Sequence, residues 1–271
     1  MNPTKTVFIT GASSGIGKAT AMLFARRGWN TVATMRDTGK AGDLEHLPGV
    51  RILACDVTKQ ETINDAIETV YAEFGSIDVL VNNAGYGLVG PFESTTPDQV
   101  HRQFEVNVFG LQSMIRAVLP NMRERAQGVI VNISSIGGRM AFPLYSQYHA
   151  TKWAVDGFSE SLQYELAELG IRVKVVEPGP VKTEFYGSSI DMESSTEIDA
   201  YQSLVSRVLP KTTKEVKGAT AEEIAQVIFR ASVDQGSRLR YPAGSTGKLI
   251  LWLRCLLPDR VFFFLIRKIL I

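Results

Sequence analysis

The chain has 271 residues, of which 45% are hydrophobic and 21% charged, and its formal net charge at pH 7 is +1. This composition is that of an ordinary globular protein and gives no indication of a nucleic-acid or polyanionic partner. The two cysteines and three histidines match no metal-ligand spacing, so we expect no metal site. Two thiols in a chain of this size fit a reducing compartment, which favours the cytoplasm. Because a strand pattern begins within the first residues, no signal peptide is expected.

Buried strands and amphipathic helices alternate along the sequence. Strands are predicted over residues 5–10, 30–35, 50–55, 77–81, 128–133, 171–177 and 238–241. Helices are predicted over residues 18–27, 59–74, 95–119 (ending at Pro120), 146–170 and 221–232. This alternation predicts a single α/β domain, with a Rossmann-like doubly wound parallel sheet of about seven strands and helices on both faces.

A glycine-rich turn follows the first strand and leads directly into a helix. It reads Gly11-Ala12-Ser13-Ser14-Gly15-Ile16-Gly17. Strand, glycine turn and helix in that order form a phosphate cradle, because glycines let the backbone approach a pyrophosphate whose charge the helix N-terminus favours. The spacing G-x-x-x-G-x-G differs from the general dinucleotide fingerprint G-x-G-x-x-G. A plain glycine turn is the alternative interpretation.

The second strand ends in Met35-Arg36-Asp37, where the adenosine ribose lies in folds of this kind. An acidic residue there would accept a hydrogen bond from a free 2′-hydroxyl, whereas an arginine would bind a 2′-phosphate. Arg36 therefore favours NADP(H) as the cofactor. In the alternative, Arg36 is an ordinary solvated charge and Asp37 binds the ribose. Asp56 and Val57, after the third strand, are well placed to hold the adenine amino group.

Tyr148 and Lys152 lie four residues apart in the longest predicted helix, so their side chains share one face. A free phenol has a pKa of about 10, and lowering it to about 7 takes roughly 4 kcal/mol. One ammonium at about 4 Å, with an effective dielectric constant near 20, supplies about that much. Tyr148 is thus a candidate general acid/base. Ser135, at a strand's carboxyl end, could hydrogen-bond a substrate carbonyl, and Asn107 inside a helix either faces solvent or serves a site.

Together these segments resemble the short-chain dehydrogenase/reductase family. The matching segments are T-G-A-S-S-G-I-G at 10–17, C-D-V at 55–57, N-N-A-G at 82–85, Asn107, Ser135, Tyr148-x-x-x-Lys152 and P-G-P-V-x-T at 178–183. The resemblance covers about residues 4–185 and is nearest to hydroxysteroid and retinol dehydrogenase-like members. It implies an NADP(H)-dependent oxidoreductase that interconverts a ketone or aldehyde and an alcohol by hydride transfer. Such proteins are usually dimers or tetramers.

The resemblance also implies a role for each matching residue. Tyr148 would be the general acid/base, and Lys152 would hold the nicotinamide ribose and lower the pKa of Tyr148. Ser135 would orient the carbonyl, and Asn107 would support a water that links Lys152 to bulk solvent. The implied cofactor contacts are Gly11, Ser13, Ser14, Gly15, Ile16 and Gly17 for the pyrophosphate, Asp56 and Val57 for adenine, Asn83, Ala84 and Gly85 for the ribose side, and Pro178, Gly179, Val181 and Thr183 for the nicotinamide amide.

In this family the region corresponding to residues 184–218 is the substrate lid, and a helix is indicated here over residues 199–209. Lids exclude water from the reaction and are often mobile. The mixed polar and apolar composition predicts an apolar substrate that is steroid-, retinoid- or lipid-like. A loop that only packs on the core is the alternative. Leu144 and Tyr145 are further candidates for the pocket border.

An apolar helical tail, residues 248–271, follows the main domain of residues 1–247. Its longest uninterrupted apolar run is six residues, 261–266, far short of the ~20 that span a membrane. Two interpretations stay open: two amphipathic helices that pack on the body or a partner subunit, which we favour, or a monotopic membrane anchor. The alternatives to an enzyme are a non-catalytic NADP-binding sensor and a peripheral membrane protein.

Overall fold

The central sheet is built from short runs of β-branched and other apolar residues, which favour strands that are buried on both faces. The computed structural model describes residues 4–182, 190–192, 198–214 and 218–271. The strands are β1 (Thr6–Ile9), β2 (Asn30–Met35), β3 (Val50–Ala54), β4 (Val79–Asn82), β5 (Gly87–Val89), β6 (Gly128–Ile133), β7 (Ile171–Pro178), β8 (Val181–Lys182), β9 (Ile190–Met192), β10 (Ala219–Thr220) and β11 (Arg240–Ala243).

Seven of these strands form one parallel sheet in the order β3-β2-β1-β4-β6-β7-β11. The order reverses at β1, which makes the sheet doubly wound and places a crevice at the carboxyl ends of β1 and β4. This confirms the predicted Rossmann-like fold. The strands β5, β8, β9 and β10 are not in the prediction. They pair as β5 with β9 and β8 with β10, and two or three residues are too few for a periodic pattern.

The helices are α1 (Gly15–Arg26), α2 (Gln60–Phe74), α3 (Pro97–Phe104), α4 (Leu111–Glu124), α5 (Ser146–Ala167), α6 (Asp199–Leu209), α7 (Ala221–Val233), α8 (Ser245–Leu256) and α9 (Asp259–Leu270). They cover both faces of the sheet. On one face α1 and α7 contribute Phe24 and Ile228 to a fully buried core. On the other face α2, α4 and α5 contribute Ile63, Met114 and Leu162. The sheet therefore lies between two apolar layers, as the predicted doubly wound arrangement requires.

The predicted helix over residues 95–119 consists of three segments in the structure. A capping box at Thr96 and Gln99 starts α3, with Pro97 in its first turn, where the missing N–H of proline has no effect. A π-helix, Glu105–Gly110, then joins α3 to α4. The prediction that Pro120 ends the helix is wrong, since α4 continues to Glu124. Val118 and Met122 are fully buried on either side of the proline, and this packing outweighs the lost backbone hydrogen bond.

Candidate active site

A cavity of ≈ 960 Å³ lies at the carboxyl ends of the central strands. The predicted site residues that line it are Gly11, Ser13, Ser14, Gly15, Ile16, Arg36, Asp56, Val57, Asn83, Ala84, Gly85, Ser135, Tyr148, Lys152, Pro178, Gly179 and Val181. Gly17 and Asn107 do not line it, and Thr183 lies outside the described residues. The parallel topology thus brings together residues that are far apart in sequence.

The phosphate cradle is formed by the turn between β1 and α1. Gly11 has φ +67°, and a Cβ atom there would lie 2.9 Å from the Cα of Ala84, so the turn needs glycine. At the other end of the turn, Ser14 precedes α1 without a side-chain capping hydrogen bond, and no acidic residue lies in the first turn. The first backbone N–H groups of α1 therefore remain available to an anion in the cavity.

Hydrogen bonds from the segment after β4 hold this turn in place. The side-chain amide of Asn83 donates to the carbonyl oxygens of Thr10 and Gly11 at 2.9 and 3.0 Å. In return, the hydroxyl of Thr10 accepts from the backbone N–H groups of Asn83 and Ala84, both at 3.0 Å. Thr10 is a positioning residue that the sequence reasoning did not single out, although it begins the matching T-G-A segment.

At the end of β2 the exposed Arg36 lines the cavity, whereas Asp37 does not. The Asp37 carboxylate accepts from the N–H of Gly39 at 3.1 Å and lies 3.9 Å from the ammonium of Lys40. Asp37 therefore caps the next turn, and Arg36 forms no ion pair with a residue that the structure describes.

The side chain of Asp56 holds the segment that follows β3. Its carboxylate accepts from the N–H and the hydroxyl of Thr58 at 3.1 and 2.8 Å. Its own backbone N–H donates to Thr62 at 3.0 Å. These bonds fix the Asp56-Val57 segment against the cavity, at the position predicted for adenine.

Tyr148 and Lys152 lie on the same face of α5 and line the cavity together. The ammonium of Lys152 is 5.7 Å from the centre of the Tyr148 ring and donates to the carbonyl oxygen of Ile133 at 2.9 Å. Tyr148 is hydrogen-bonded to Ser135, whose hydroxyl oxygen also accepts from the N–H of Gly137 at 3.0 Å. The hydroxyls and the ammonium thus meet at one end of the cavity.

The prediction that Lys152 lowers the pKa of Tyr148 is wrong for the protein by itself. Burial raises the pKa of Tyr148 to about 12, and the hydrogen bond with Ser135 offsets only part of that effect. Burial also lowers the pKa of Lys152 to about 8, although Asp156 one turn further along α5 opposes this shift. The predicted lowering requires a full ammonium about 4 Å from the phenol, whereas the ammonium donates to the carbonyl oxygen of Ile133 in the structure.

Asn107 lies in the π-helix and is 2% exposed. Its amide donates to the carbonyl oxygen of Tyr86 at 2.8 Å and to the hydroxyl of Thr151 at 3.1 Å, and its oxygen accepts from the N–H of Tyr86 at 3.0 Å. Single-turn π-helices are frequent at functional sites because they turn a side chain out of the regular helix register. The Asn107 side chain therefore links the segment that follows β4 to α5, next to Lys152.

The described residues contain no group of three or more His, Cys, Asp or Glu side chains that could hold a metal ion. His149, next to Tyr148, is buried, and its Nδ1 lies 3.1 Å from the carbonyl oxygen of Gly137. Its Nε2 accepts from the N–H of Phe142 at 3.2 Å. Burial lowers the pKa of His149 to about 4, so this neutral ring is a structural residue.

The tail forms the far wall of the cavity. Leu251 and Phe262, one from each tail helix, are buried against Ile136 and Met140, so the tail packs on the body of the same chain. The tail residues that line the cavity are Ile250, Leu253, Leu257, Phe262, Leu265, Ile266, Ile269 and Leu270. In the part of the chain that the structure describes, no helix combines the length and the hydropathy needed to cross a bilayer.

The structure describes the lid region only in part. Its helix α6 packs Leu204 against the cluster around Tyr145 and Tyr148. Tyr145 lines the cavity, while Leu144 is buried in the same cluster behind it. Sequence reasoning missed Tyr86, Arg102, Met140 and Phe142, which also line the cavity, because no motif or periodic pattern marks them.

A family model described as short chain dehydrogenase matches residues 5–194. The chain belongs to the short-chain dehydrogenase/reductase family. An uncharacterized oxidoreductase of Schizosaccharomyces pombe is 38% identical over 86% of this chain and 98% of its own length. Retinol dehydrogenase 8 of Bos taurus is 41% identical over 71% of this chain and 64% of its own. The 3-ketodihydrosphingosine reductase of Bacteroides thetaiotaomicron is 42% identical over 66% of this chain and 65% of its own. These relatives make the protein a dehydrogenase/reductase that acts on the CH–OH group.

Solved structures agree with this assignment. A short-chain dehydrogenase from Streptomyces avermitilis has a TM-score of 0.82 and 36% identity, covering 91% of this chain and 90% of its own. ElxO with NADP bound has a TM-score of 0.73 and 30% identity, covering 88% and 97%. A Burkholderia phymatum relative in complex with NAD has a TM-score of 0.81 and 25% identity, covering 94% and 92%. Members of this fold thus bind either nicotinamide dinucleotide.

The residues of this chain fit such a cofactor. The cavity runs from the uncapped N-terminus of α1, which suits a pyrophosphate, to Tyr148 and Lys152. Between these ends its wall is made of short side chains such as Ala84, Gly85 and Gly179. A dinucleotide therefore has an anion site at one end and proton donors at the other.

Proposed function

We propose that this protein is an NADP(H)-dependent dehydrogenase/reductase that interconverts a ketone or aldehyde and an alcohol, with Tyr148 as the general acid/base. One observation carries the proposal: Tyr148, Ser135 and Lys152 line the same cavity as the uncapped N-terminus of α1. A phosphate-binding end and a proton-donating end in one cavity are what a nicotinamide oxidoreductase requires.

Each polar residue of the reaction centre has a distinct part in this proposal. During reduction, negative charge grows on the carbonyl oxygen of the substrate, and Ser135 and Tyr148 donate hydrogen bonds to it. Tyr148 then gives up its proton, and in alcohol oxidation the tyrosinate takes the proton back. Lys152 holds the nicotinamide ribose, and Asn107 orders the backbone beside Lys152 through Tyr86 and Thr151.

The raised pKa of Tyr148 sets a condition on this mechanism. Bringing a phenol from a pKa of about 12 to about 7 takes roughly 7 kcal/mol. One ammonium at about 6 Å, with an effective dielectric constant near 20, supplies about 3 kcal/mol, so Lys152 is insufficient by itself. A bound nicotinamide dinucleotide would supply or accept the hydride, and its oxidised ring would add a second positive charge beside the phenol.

The preference for NADP(H) rests on the end of β2. Arg36 lines the cavity and has no ion-pair partner among the described residues, so its guanidinium is free to bind a 2′-phosphate in bidentate fashion. Asp37, the residue that would accept from a free 2′-hydroxyl, is engaged by Gly39 and Lys40. These contacts favour NADP(H) over NAD(H).

An apolar substrate fits the remaining space. The wall opposite the cofactor side is built from Phe142 and Tyr145 of the body and from Leu253, Leu257 and Leu265 of the tail. Burying apolar substrate surface against such a wall yields about 25 cal/mol per Å². Two relatives are named for retinol and for 3-ketodihydrosphingosine, which are both long apolar molecules, and we infer a substrate of that kind.

The substitution Tyr148→Phe tests the proposed role. It removes one hydroxyl and keeps the ring, so NADPH binding, measured by fluorescence titration, should persist. Turnover of carbonyl substrates should fall by about 10²- to 10⁴-fold, the usual contribution of a general acid. The exposed phenol of Tyr164, on the far part of the same helix, provides the control Tyr164→Phe, which should leave turnover unchanged. Near wild-type turnover in Tyr148→Phe would rule out the assignment.

Activity assays on the wild-type protein distinguish an enzyme from a non-catalytic NADP-binding sensor. A panel of apolar ketones, aldehydes and alcohols, followed through NADPH absorbance, should yield turnover that Tyr148→Phe removes. Tight NADPH binding without turnover of any member of the panel would favour the sensor.

A further inference from the structure

The two tail helices are apolar on their outer side as well as on the side that packs on the body. Fourteen large apolar side chains in the described part of the chain are exposed, and eight of them lie within residues 249–271. We call these eight the outer tail surface: Leu249, Trp252, Leu256, Val261, Phe263, Phe264, Ile269 and Ile271, each between 38% and 63% exposed. Of these eight, Ile269 also lines the cavity. Such a concentration differs from the single apolar residues found on ordinary protein surfaces.

The spacing of these residues gives each helix a continuous outer face. Leu249, Trp252 and Leu256 are three and four residues apart in α8, so they form one stripe. In α9, Phe264 has Arg260 four residues before it, Arg267 three residues after it and Lys268 four residues after it. The outer face of α9 therefore alternates aromatic and cationic side chains, while Phe262 on its inner face is only 4% exposed.

The charge of the tail is strongly one-sided. Residues 245–271 contain five basic side chains and one acidic side chain, Asp259, whereas the whole chain has a net charge of +1. Asp259 is paired with Arg254 at 2.6 Å. The basic residues Lys248, Arg260, Arg267 and Lys268 are exposed and form no ion pair with a residue that the structure describes.

The exposed apolar side chains and the unpaired basic residues together indicate which kind of partner binds this surface. A second copy of the chain would bring its own four exposed cations against these four, and like charges at close range repel. An anionic bilayer offers both complements, phosphate headgroups for the cations and acyl chains for the aromatic and aliphatic side chains. Helices with aromatic and leucine residues on one face and Lys or Arg beside them lie in the plane of such an interface.

We propose that the outer tail surface docks in the plane of an anionic lipid bilayer. Trp252 and Phe264 enter the boundary between headgroups and acyl chains, and Arg260, Arg267 and Lys268 contact the headgroup phosphates. The inner faces of the same two helices line the cavity, so docking places the cavity wall next to the bilayer. The docking itself does not depend on the proposed reaction.

Vesicle sedimentation with the full-length protein tests the electrostatic part. Phosphatidylcholine vesicles with phosphatidylglycerol should bind the protein more tightly than phosphatidylcholine alone, and added salt should weaken the binding. The variant Arg267→Gln/Lys268→Gln should bind anionic vesicles more weakly, by about fivefold for each basic residue removed. The matched control Arg26→Gln/Arg27→Gln removes two exposed basic residues at the end of α1 and should bind like the wild type.

Two apolar variants test the insertion. Trp252→Ser/Phe264→Ser should abolish binding, whereas Phe92→Ser/Tyr164→Ser, which removes side chains 69% and 71% exposed elsewhere, should leave it intact. Brominated acyl chains should quench the fluorescence of the wild type more than that of Trp252→Phe. None of these residues lines the cavity, so activity on a small water-soluble carbonyl should be unchanged and would show that the variants fold.

Three results would overturn the proposal. The wild type could stay in the supernatant with anionic vesicles, or the tail variant and the Phe92→Ser/Tyr164→Ser control could bind equally well. Sedimentation equilibrium could also show that Trp252→Ser/Phe264→Ser converts a dimer into a monomer without changing vesicle binding, which would assign the surface to a second copy.

Discussion

Burial shifts the pKa values of the two residues at the centre of the site in opposite directions. Burial favours the neutral forms of both, so it raises the pKa of Tyr148 and lowers that of Lys152. Asp156, one turn beyond Lys152, partly restores the charge of the lysine. At neutral pH both side chains are therefore mainly protonated, and a further positive charge beside the phenol would lower its pKa.

The proposed preference for NADP(H) depends on Arg36, so this is the residue to change. Arg36→Ala should raise the Michaelis constant for NADPH by about ten- to a hundredfold, because a charge-assisted hydrogen bond contributes about 1.5–3 kcal/mol. The constant for NADH should stay nearly the same. Steady-state kinetics with both cofactors measures the difference.

Asp37→Ala is the matched control, since its carboxylate caps a turn outside the cavity. It should change neither constant appreciably. Equal effects of Arg36→Ala on both cofactors, or a selective loss of NADH affinity in Asp37→Ala, would contradict the assignment.

At the scale of secondary-structure elements, the approach of α1 to β1 depends on one glycine inside the helix. A Cβ atom on Gly17 would lie 2.3 Å from the carbonyl oxygen of Gly11 and 2.5 Å from the amide nitrogen of Asn83. Both neighbours are part of the cradle, so a larger residue at 17 would push α1 away from it. Gly17 therefore acts on the cofactor site through packing, although it does not line the cavity.

Gly17→Ala should weaken NADPH binding by at least about tenfold and lower the free energy of unfolding by about 1–3 kcal/mol, the usual cost of overpacking. Fluorescence titration and urea unfolding measure the two effects. The control is Gly157→Ala in the middle of α5, where no atom lies within 4 Å of the added Cβ. That change should raise stability by about 0.5–1 kcal/mol. Unchanged NADPH affinity in Gly17→Ala would show that the cradle tolerates the shift.

The elements α5, β7 and β11 meet around a cluster of buried charges. The guanidinium of Arg240 contacts Asp156 at 2.7 Å and Glu177 at 3.1 Å, and its other nitrogen contacts Glu160 at 2.6 Å. Burial, followed by the charge of Asp156, raises the pKa of Glu177 from 4.5 to about 7. The two buried carboxyls therefore share the charge of Arg240, with Arg139 4.0 Å from Glu177, and Glu177 is about half protonated at neutral pH.

A carboxyl whose pKa is raised in the folded state stabilises the fold at low pH, and this contribution is lost as pH rises through the folded value. The window here runs from the ordinary value of 4.5 to about 7. Between about pH 5 and pH 8, the unfolding free energy of the wild type should fall by on the order of 2 kcal/mol more than that of Glu177→Gln, which stays neutral. Urea unfolding at both pH values measures it, and parallel pH profiles for the two proteins would contradict the raised pKa.

At the scale of the whole molecule, the tail closes the cavity that the sheet opens. Residues from β1 to β7 supply the cofactor side, and α8 and α9 supply an apolar wall. Phe262, buried under the guanidinium of Arg254 at 5.1 Å, anchors this wall to the body. The last residues of the chain therefore complete the apolar wall of the cavity.

Phe262→Ala should detach the tail from the body. The cavity that it leaves should lower the stability of the tail by about 3 kcal/mol, and limited proteolysis should then cut within α8 or α9. The Michaelis constant for long apolar substrates should rise while that for small carbonyls stays constant. Phe263→Ala removes a neighbouring ring that is 52% exposed and should have little effect on either. If Phe262→Ala changes the Michaelis constants of long apolar substrates and of small carbonyls by the same factor, the tail does not take part in substrate binding.

The sequence by itself determined the order of the main elements and the identity of many residues that line the cavity. Strands such as β2 and β6 and the helix α6 have the predicted bounds, because runs of apolar residues and local breakers are short-range signals. The glycine turn, Tyr148 and Lys152 could be found because each motif specifies a local backbone shape or a spacing on one helix face. The parallel direction of the strands then followed from the alternation of strands and helices.

Only the tertiary structure decided what depends on contacts between distant segments. Pro120 stays inside α4 because Val118 and Met122 are held in the core, and the π-helix turns Asn107 toward Tyr86 and Thr151. The pKa of Tyr148 is raised because burial, which no spacing reveals, outweighs the hydrogen bond with Ser135. The tail became part of the cavity wall in the same way. Burial and long-range packing are properties of the assembled chain, and local sequence patterns do not contain them.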